Sequence, residues 1–260
     1  MGIGIRREKV RQLLKLRGFA LANDIALELQ VTRAVIKKDF EVMEEAGYIE
    51  RLNNGAIFLR DEDGNTLASI LMQHKNAIAM RAAQYVEQRD TIFINSSATA
   101  LLMLPYIEAK YVTVVTNNTK AIDIKRREDM MVILTGGELS SPENVLLGDL
   151  ALNGVGHTMA SKCFLGCSGI TVKTGITTSI LREAAINELM LTRTFGKRFI
   201  LADRTKVGRA SNFICGECDR LSCLITDATA LKEEVAKLRQ HIEVIQAPMP
   251  SQKIMNEADE

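Results

Sequence analysis

Between residues 91 and 226 the chain repeats one pattern: a short apolar run, a stretch of helical periodicity, then another run. The runs are Thr91–Ile94, Tyr111–Val115, Met131–Leu134, Lys162–Leu165, Arg198–Leu201 and Cys223–Thr226. Val112-Thr113-Val114-Val115 lacks strict apolar–polar alternation, as a strand covered on both faces should. Strands that alternate with helices are joined by crossovers, so the pattern predicts an α/β domain built on a mostly parallel sheet.

Ligands of open parallel sheets sit beyond the carboxyl ends of the strands. Those ends carry small polar residues and glycines here. Asn95, Ser96, Ser97, Ala98 and Thr99 follow the first run; Thr116 and Asn117 the second; Gly136 and Gly137 the third. Gly166-Cys167-Ser168-Gly169 follows the fourth run, and Asp203 and Lys206 the fifth. Hydroxyls, amides and backbone N–H groups gathered at strand ends suit a small anion. The candidate ligand is a phosphorylated sugar or polyol, with Gly169 and Glu183 added to the candidate residues. Each loop taken singly is also an ordinary turn. Neither G-x-G-x-x-G nor G-x-x-x-x-G-K-[ST] occurs, so no nucleotide cofactor is expected. Cys215 and Cys218 form a C-x-x-C without a second pair or a nearby His, so no metal is expected and the five cysteines read as reduced thiols.

The first sixty residues follow a different period. Val10, Leu13, Leu14 and Leu16 mark one helix stopped by Gly18; Ile25, Ala26 and Leu29 mark a second. Thr32 offers an N-cap for a third, in which Val35, Ile36, Phe40 and Met43 face inward and Arg33, Lys37 and Lys38 outward. Asn53-Asn54-Gly55 between Tyr48–Leu52 and Ala56–Leu59 predicts a tight hairpin. Three helices and a hairpin make a winged helix-turn-helix, whose third helix enters the major groove of double-stranded DNA. The net charge is only +1, but Arg6–Arg17 holds six basic residues against the single acid Glu8. Such a local excess is the electrostatic footprint of a phosphate-binding module on a neutral partner domain. The chain lacks Trp and has 5% aromatics, which argues against stacking on single strands. The candidate DNA contacts are Arg6, Arg7, Thr32, Arg33, Lys37, Lys38, Arg51, Asn53, Asn54 and Gly55.

The stretch Arg6–Ala56 resembles the DeoR family of repressors. Lys37-Lys38-Asp39 stands where Arg-Arg-Asp is typical, and Arg51-Leu52-Asn53-Asn54-Gly55 stands for the wing. Val35 replaces a usual Thr and Leu21 a usual Ser. The later segments Asp90–Ile94, Val114–Asn117, Gly136-Gly137, Phe164–Gly166, Gly175–Thr178, Leu201–Asp203 and Leu224–Asp227 resemble the family's sensor domain, whose fold is that of ribose-5-phosphate isomerase. Asn95 stands for a usual Asp, Cys167-Ser168 for Ala-Asp and Asn187 for a usual Lys.

The resemblance implies a repressor of a sugar or polyol operon, controlled by a phosphorylated sugar and acting as a homodimer or homotetramer. Two other readings stand beside it. Leu181-Arg182-Glu183 resembles the isomerase segment that supplies a catalytic glutamate, so the chain could be an enzyme. The altered wing also suits a protein-interaction module. The expected domains are 1–60 for DNA binding, 61–74 as linker, 75–250 as sensor and 251–260 as tail. No apolar stretch suggests a signal peptide or membrane span, so the expectation is a cytoplasmic chain without a membrane partner.

Overall fold

The first helix, α1 (Ile3–Arg17), stops at Gly18, whose φ of 76° lets its N–H bond back to the Leu14 carbonyl at 2.7 Å. A short strand, β1 (Phe19–Leu21), leads into α2 (Ala22–Glu28), and α3 (Arg33–Glu45) follows a turn through Gln30, a residue at positive φ. Thr32 occupies the N-cap position of α3 with extended backbone, but its side chain makes no capping bond. The hairpin β2 (Ile49–Arg51) and β3 (Gly55–Phe58) closes a three-stranded antiparallel sheet in the order β1-β3-β2. β1 was not expected from the sequence; it is three residues long and alternates too briefly to be seen. Val10, Leu14, Ile25, Ile36, Phe40, Ile49 and Phe58 fill the core of this unit.

This computed structural model describes residues 2–52, 54–141 and 143–248. The chain divides into two units between Met72 and Gln73. The division falls within α4 (Leu67–Ala83). Asn53 and the tail 251–260 lie outside the described residues.

The second unit is built in chain order from β4 (Thr91–Ile94), α5 (Ala98–Leu101), β5 (Thr113–Thr116), β6 (Met131–Leu134), β7 (Glu138–Ser140), β8 (Val145–Leu147) and α6 (Asp149–Gly156). Then come β9 (Lys162–Gly166), β10 (Gly169–Thr171), β11 (Gly175–Thr178), α7 (Leu181–Thr192), β12 (Arg198–Leu201), β13 (Phe213–Gly216), β14 (Cys223–Asp227), α8 (Lys232–Leu238) and β15 (Glu243–Ala247). Seven strands form one sheet in the order β15-β14-β12-β9-β4-β5-β6, parallel throughout. All six runs read from the sequence are in it. The seventh strand, β15, was missed because Glu243 and Gln246 break its apolar character. Also unforeseen are the antiparallel sheet β10-β11-β13 and the hairpin β7-β8.

Both faces of the large sheet are covered. Phe93, Cys163, Leu165, Ile200 and Leu224 belong to one core; Ile92, Ile94, Phe164, Phe199 and Ile225 belong to the other. Phe164 and Phe199 stack with centroids 4.8 Å apart across neighbouring strands. The chain winds outward from β4 through β5 to β6, then returns to the other side of β4 with β9. The sheet therefore has its topological switch point between β4 and β9, where a crevice opens beyond the strand ends.

Candidate functional site

In the first unit, Arg33, Lys37 and Lys38 are exposed on the amino half of α3. Arg33 Nη2 donates to Asn54 Oδ1 at 2.7 Å, which ties the start of α3 to the wing tip. A groove of about 730 Å³ runs between helix and wing and is lined by Lys37, Glu41, Glu44, Arg51, Asn54 and Gly55, among others. Gly55 is buried, and a Cβ there would stand 2.4 Å from the Ala20 carbonyl oxygen, so the wing needs glycine where β3 meets β1. Thr32 is exposed one residue before α3.

Three further expected DNA contacts, Arg6, Arg7 and Arg51, are paired with acids. Asp39 is 1% exposed and takes Arg6 Nε at 2.6 Å, Arg6 Nη2 at 3.0 Å and Arg7 Nε at 3.0 Å. Burial pushes the Asp39 carboxyl up, but the bonds from Arg6 and Arg7 outweigh it and hold it below the usual carboxylate range. Arg51 bonds to Glu44 Oε2 at 2.6 Å and to Glu41 at 3.1 Å. Farther along α1, Arg11 pairs with Glu8 and Glu62, Lys15 with Asp61 and Arg17 with Glu28. Much of the basic excess read from Arg6–Arg17 is thus balanced by carboxylates distant in sequence, a pairing that a count of charges along the chain does not register.

In the second unit a cavity of about 230 Å³ lies at the β4/β9 switch point. Asn95, Ser96 and Ser97 line it from the end of β4; Gly166, Cys167 and Ser168 from the end of β9. Thr178, Ser179 and Ile180 after β11, with Glu183 and Asn187 of α7, close the remaining wall. Asn95 is its keystone. Its Nδ2 donates to the Gly166 carbonyl at 2.9 Å while its Oδ1 accepts the Gly166 N–H at 2.9 Å, extending the strand pairing one step beyond the sheet by a side chain. The same Nδ2 donates to Asn187 Oδ1 at 2.9 Å. The two positions where the family resemblance leads one to expect Asp and Lys are therefore bonded to each other as a neutral pair. Asn187 Nδ2 in turn reaches Cys215 Sγ at 3.7 Å. Gly166 has no room for a side chain, since a Cβ would come within 2.0 Å of Ser97 Oγ. Thr178 Oγ1 donates to Glu183 Oε2 at 3.1 Å and so orients that carboxylate.

Of the expected ligand residues, Asn95, Ser96, Ser97 and Glu183 come together in this cavity. The others do not line it. Ala98 and Thr99 begin α5 behind it, with Thr99 buried. Thr116 Oγ1 accepts the Asn118 N–H, and Asn117 Nδ2 donates to the Leu146 carbonyl. Gly136 and Gly137 turn the chain at positive φ after β6. Gly169 opens β10, Asp203 accepts from the Thr205 N–H, and the Lys206 carbonyl accepts from Ile170. The sequence reading missed Thr178, Ser179, Ile180 and Asn187 as wall residues because they arrive through the antiparallel insertion and α7. Asn187, standing where the family pattern has a Lys, was the available signal. Cys167 and Cys215 are held up by burial, to about 12 and about 11, and are thiols at neutral pH. Cys218 is buried in the same core as Cys215.

A family model described as a DeoR-like helix-turn-helix domain matches residues 6–62, and one described as the DeoR C terminal sensor domain matches residues 71–228. The HTH-type transcriptional regulator GolR of Listeria innocua is 30% identical over 85% of this chain and 89% of its own. The lactose phosphotransferase system repressor of Streptococcus mutans is 27% identical over 92% and 98%. A solved ribose 5-phosphate isomerase A from Neisseria gonorrhoeae overlaps 51% of this chain and 52% of its own at 16% identity and TM-score 0.37. The parallel sheet, rather than that overlap, places the second unit in the α/β class. Matched over both units by that family's domains, the chain belongs to the DeoR family of DNA-binding transcriptional regulators.

Proposed function

We propose that the protein represses a sugar or polyol utilisation operon and that a phosphorylated sugar or polyol in the cavity at the β4/β9 switch point changes its affinity for the operator. The observation that carries the reading is the set of exposed cations Arg33, Lys37 and Lys38 on α3 beside the wing tip Asn54. Helix N-terminal halves with such side chains reach phosphates and guanine edges in the major groove. Lys lacks the two-pronged fork of Arg, so Lys37 and Lys38 serve affinity more than base reading. A two-fold homodimer, or a pair of dimers, would place two such helices on half-sites about one helical turn or a multiple apart. DNA and effector then oppose or favour each other by linkage through the arrangement of subunits. The protein acts in the cytoplasm in this reading.

The chain is a regulator and not an enzyme, as its family is.

The test is the salt dependence of binding to duplex DNA from the protein's own promoter. Replacing Lys37 and Lys38 by Ala should weaken binding and flatten the log–log salt slope by about 2 for each DNA-bound subunit, one phosphate contact for each lysine. An unchanged slope would remove α3 as the DNA-reading element.

A further inference from the structure

We infer that the end of the effector entering the β4/β9 cavity is uncharged and hydroxyl-bearing, and that Glu183 makes the cavity reject a ligand with an acid at that end. The inference rests on the proposed control by a phosphorylated sugar or polyol and specifies which part of that molecule the cavity reads.

Among the described residues that line the cavity, Glu183 is the one charged side chain. Its Oε2 accepts from Thr178 Oγ1, which leaves Oε1 to accept from a ligand. A carboxylate offers only acceptors, so the group facing it must bring a proton of its own. A sugar hydroxyl does so; an ionised acid or phosphate does not. Ser97 Oγ accepts the Ala100 N–H and Ser168 Oγ accepts the Ser179 N–H, so both keep their O–H for donation to a ligand oxygen. Hydroxyls that donate and a carboxylate that accepts form the complement of a polyol chain.

The cations near the cavity do not reverse this balance. Lys206 and Asp203 lie close enough to act on the Cys167 thiol with opposite signs, and neither lines the cavity. Arg182, beside Glu183 in sequence, is paired with Glu138. Asn187, facing Asn95, brings an amide and no charge. The cavity volume of about 230 Å³ lies below the roughly 300–1,000 Å³ of pockets that enclose a drug-sized ligand, which suits a few hydroxylated carbons.

The experiment is calorimetric titration of the full chain with matched pairs. These are erythritol 4-phosphate with 4-phosphoerythronate, arabitol 5-phosphate with 5-phosphoarabinonate, and glucitol 6-phosphate with 6-phosphogluconate. Members of a pair share carbon chain and phosphate and differ only in a terminal CH2OH or carboxylate. In every pair that binds, the polyol phosphate should bind about tenfold or more tighter than its acid partner, a floor for the repulsion of like charges a few ångströms apart near a protein surface. Glu183→Gln should bring the two within about threefold of each other by relieving the acid partner. An acid that binds as well as its polyol partner in the wild-type chain overturns the inference and leaves the sugar-phosphate reading standing. A ratio unchanged in Glu183→Gln removes Glu183 as the discriminating group. Failure of every phosphate ester to bind overturns the sugar-phosphate reading itself, and this inference with it. The wild-type comparison needs no variant to fold.

Discussion

Replacing Asp39 by Asn preserves the shape of the side chain and removes its charge. Asp39 holds two guanidinium groups from α1 against α3, with two bonds to Arg6 and one to Arg7 at 2.6–3.0 Å. Asn offers one acceptor oxygen in place of two, so at least one guanidinium loses its bond and both lose their counter-charge. Removing one member of a buried ion pair costs about 3–5 kcal/mol. Here Arg6 and Arg7 remain 15% and 34% exposed, so water replaces part of what is lost. Solvent screening reduces the expected cost to about 2 kcal/mol. In a unit of this size about 1 kcal/mol moves the melting temperature by about 4–8 °C, so the helix-turn-helix transition should fall by about 8–16 °C.

The pH dependence fixes the sign independently. The folded carboxyl sits below its ordinary value, whereas the unfolded one titrates near about 3.9. The stabilisation is therefore present in full above the unfolded pKa and is lost as pH falls through the folded one. Calorimetry of the full chain near neutrality and in progressively more acid buffer should show wild-type and Asp39→Asn transitions converging with acid. Hydrogen exchange would assign the effect to α1 and α3. Equal melting temperatures at neutral pH, or a gap that persists undiminished in acid, would refute the role given to Asp39.

Two further changes test the sensor cavity. Gly166→Ala places a Cβ 2.0 Å from Ser97 Oγ, so it should lower the urea midpoint by an amount worth about 1–3 kcal/mol and abolish ligand heat; a variant with wild-type stability and binding would contradict the close approach of the β4 and β9 turns. Asn95→Asp turns a donor that now serves Gly166 and Asn187 into an acceptor facing two acceptor oxygens, at a cost of about 1–3 kcal/mol in urea unfolding. Adding Asn187→Lys should recover part of that loss, and strictly additive effects in the double-mutant cycle would sever the two positions.

The strands were legible wherever burial on both faces left an unbroken apolar run, as at Thr91–Ile94 and Arg198–Leu201, which the structure reproduces residue for residue. Gly18 and the Asn-Gly wing were legible because turns and helix ends select residue types locally. The pairing of the basic run on α1 was hidden for the opposite reason. Its charge was evident, but its partners Asp39, Asp61, Glu62 and Glu28 are supplied by other parts of the chain.

Local periodicity thus marked the three helices of the first unit and six strands of the large sheet, and the residues after those strands marked the edge of the sheet where a ligand can bind. Which two of those strand ends form a cavity was decided only by strand order. The reversal beside β4 brings Asn95 to Gly166 and leaves Thr116, Gly136 and Asp203 outside the cavity walls, although all follow strands of one sheet. A strand's own side chains record that it is buried, but its neighbour is chosen by crossover connections and long-range packing, which have no period in the sequence.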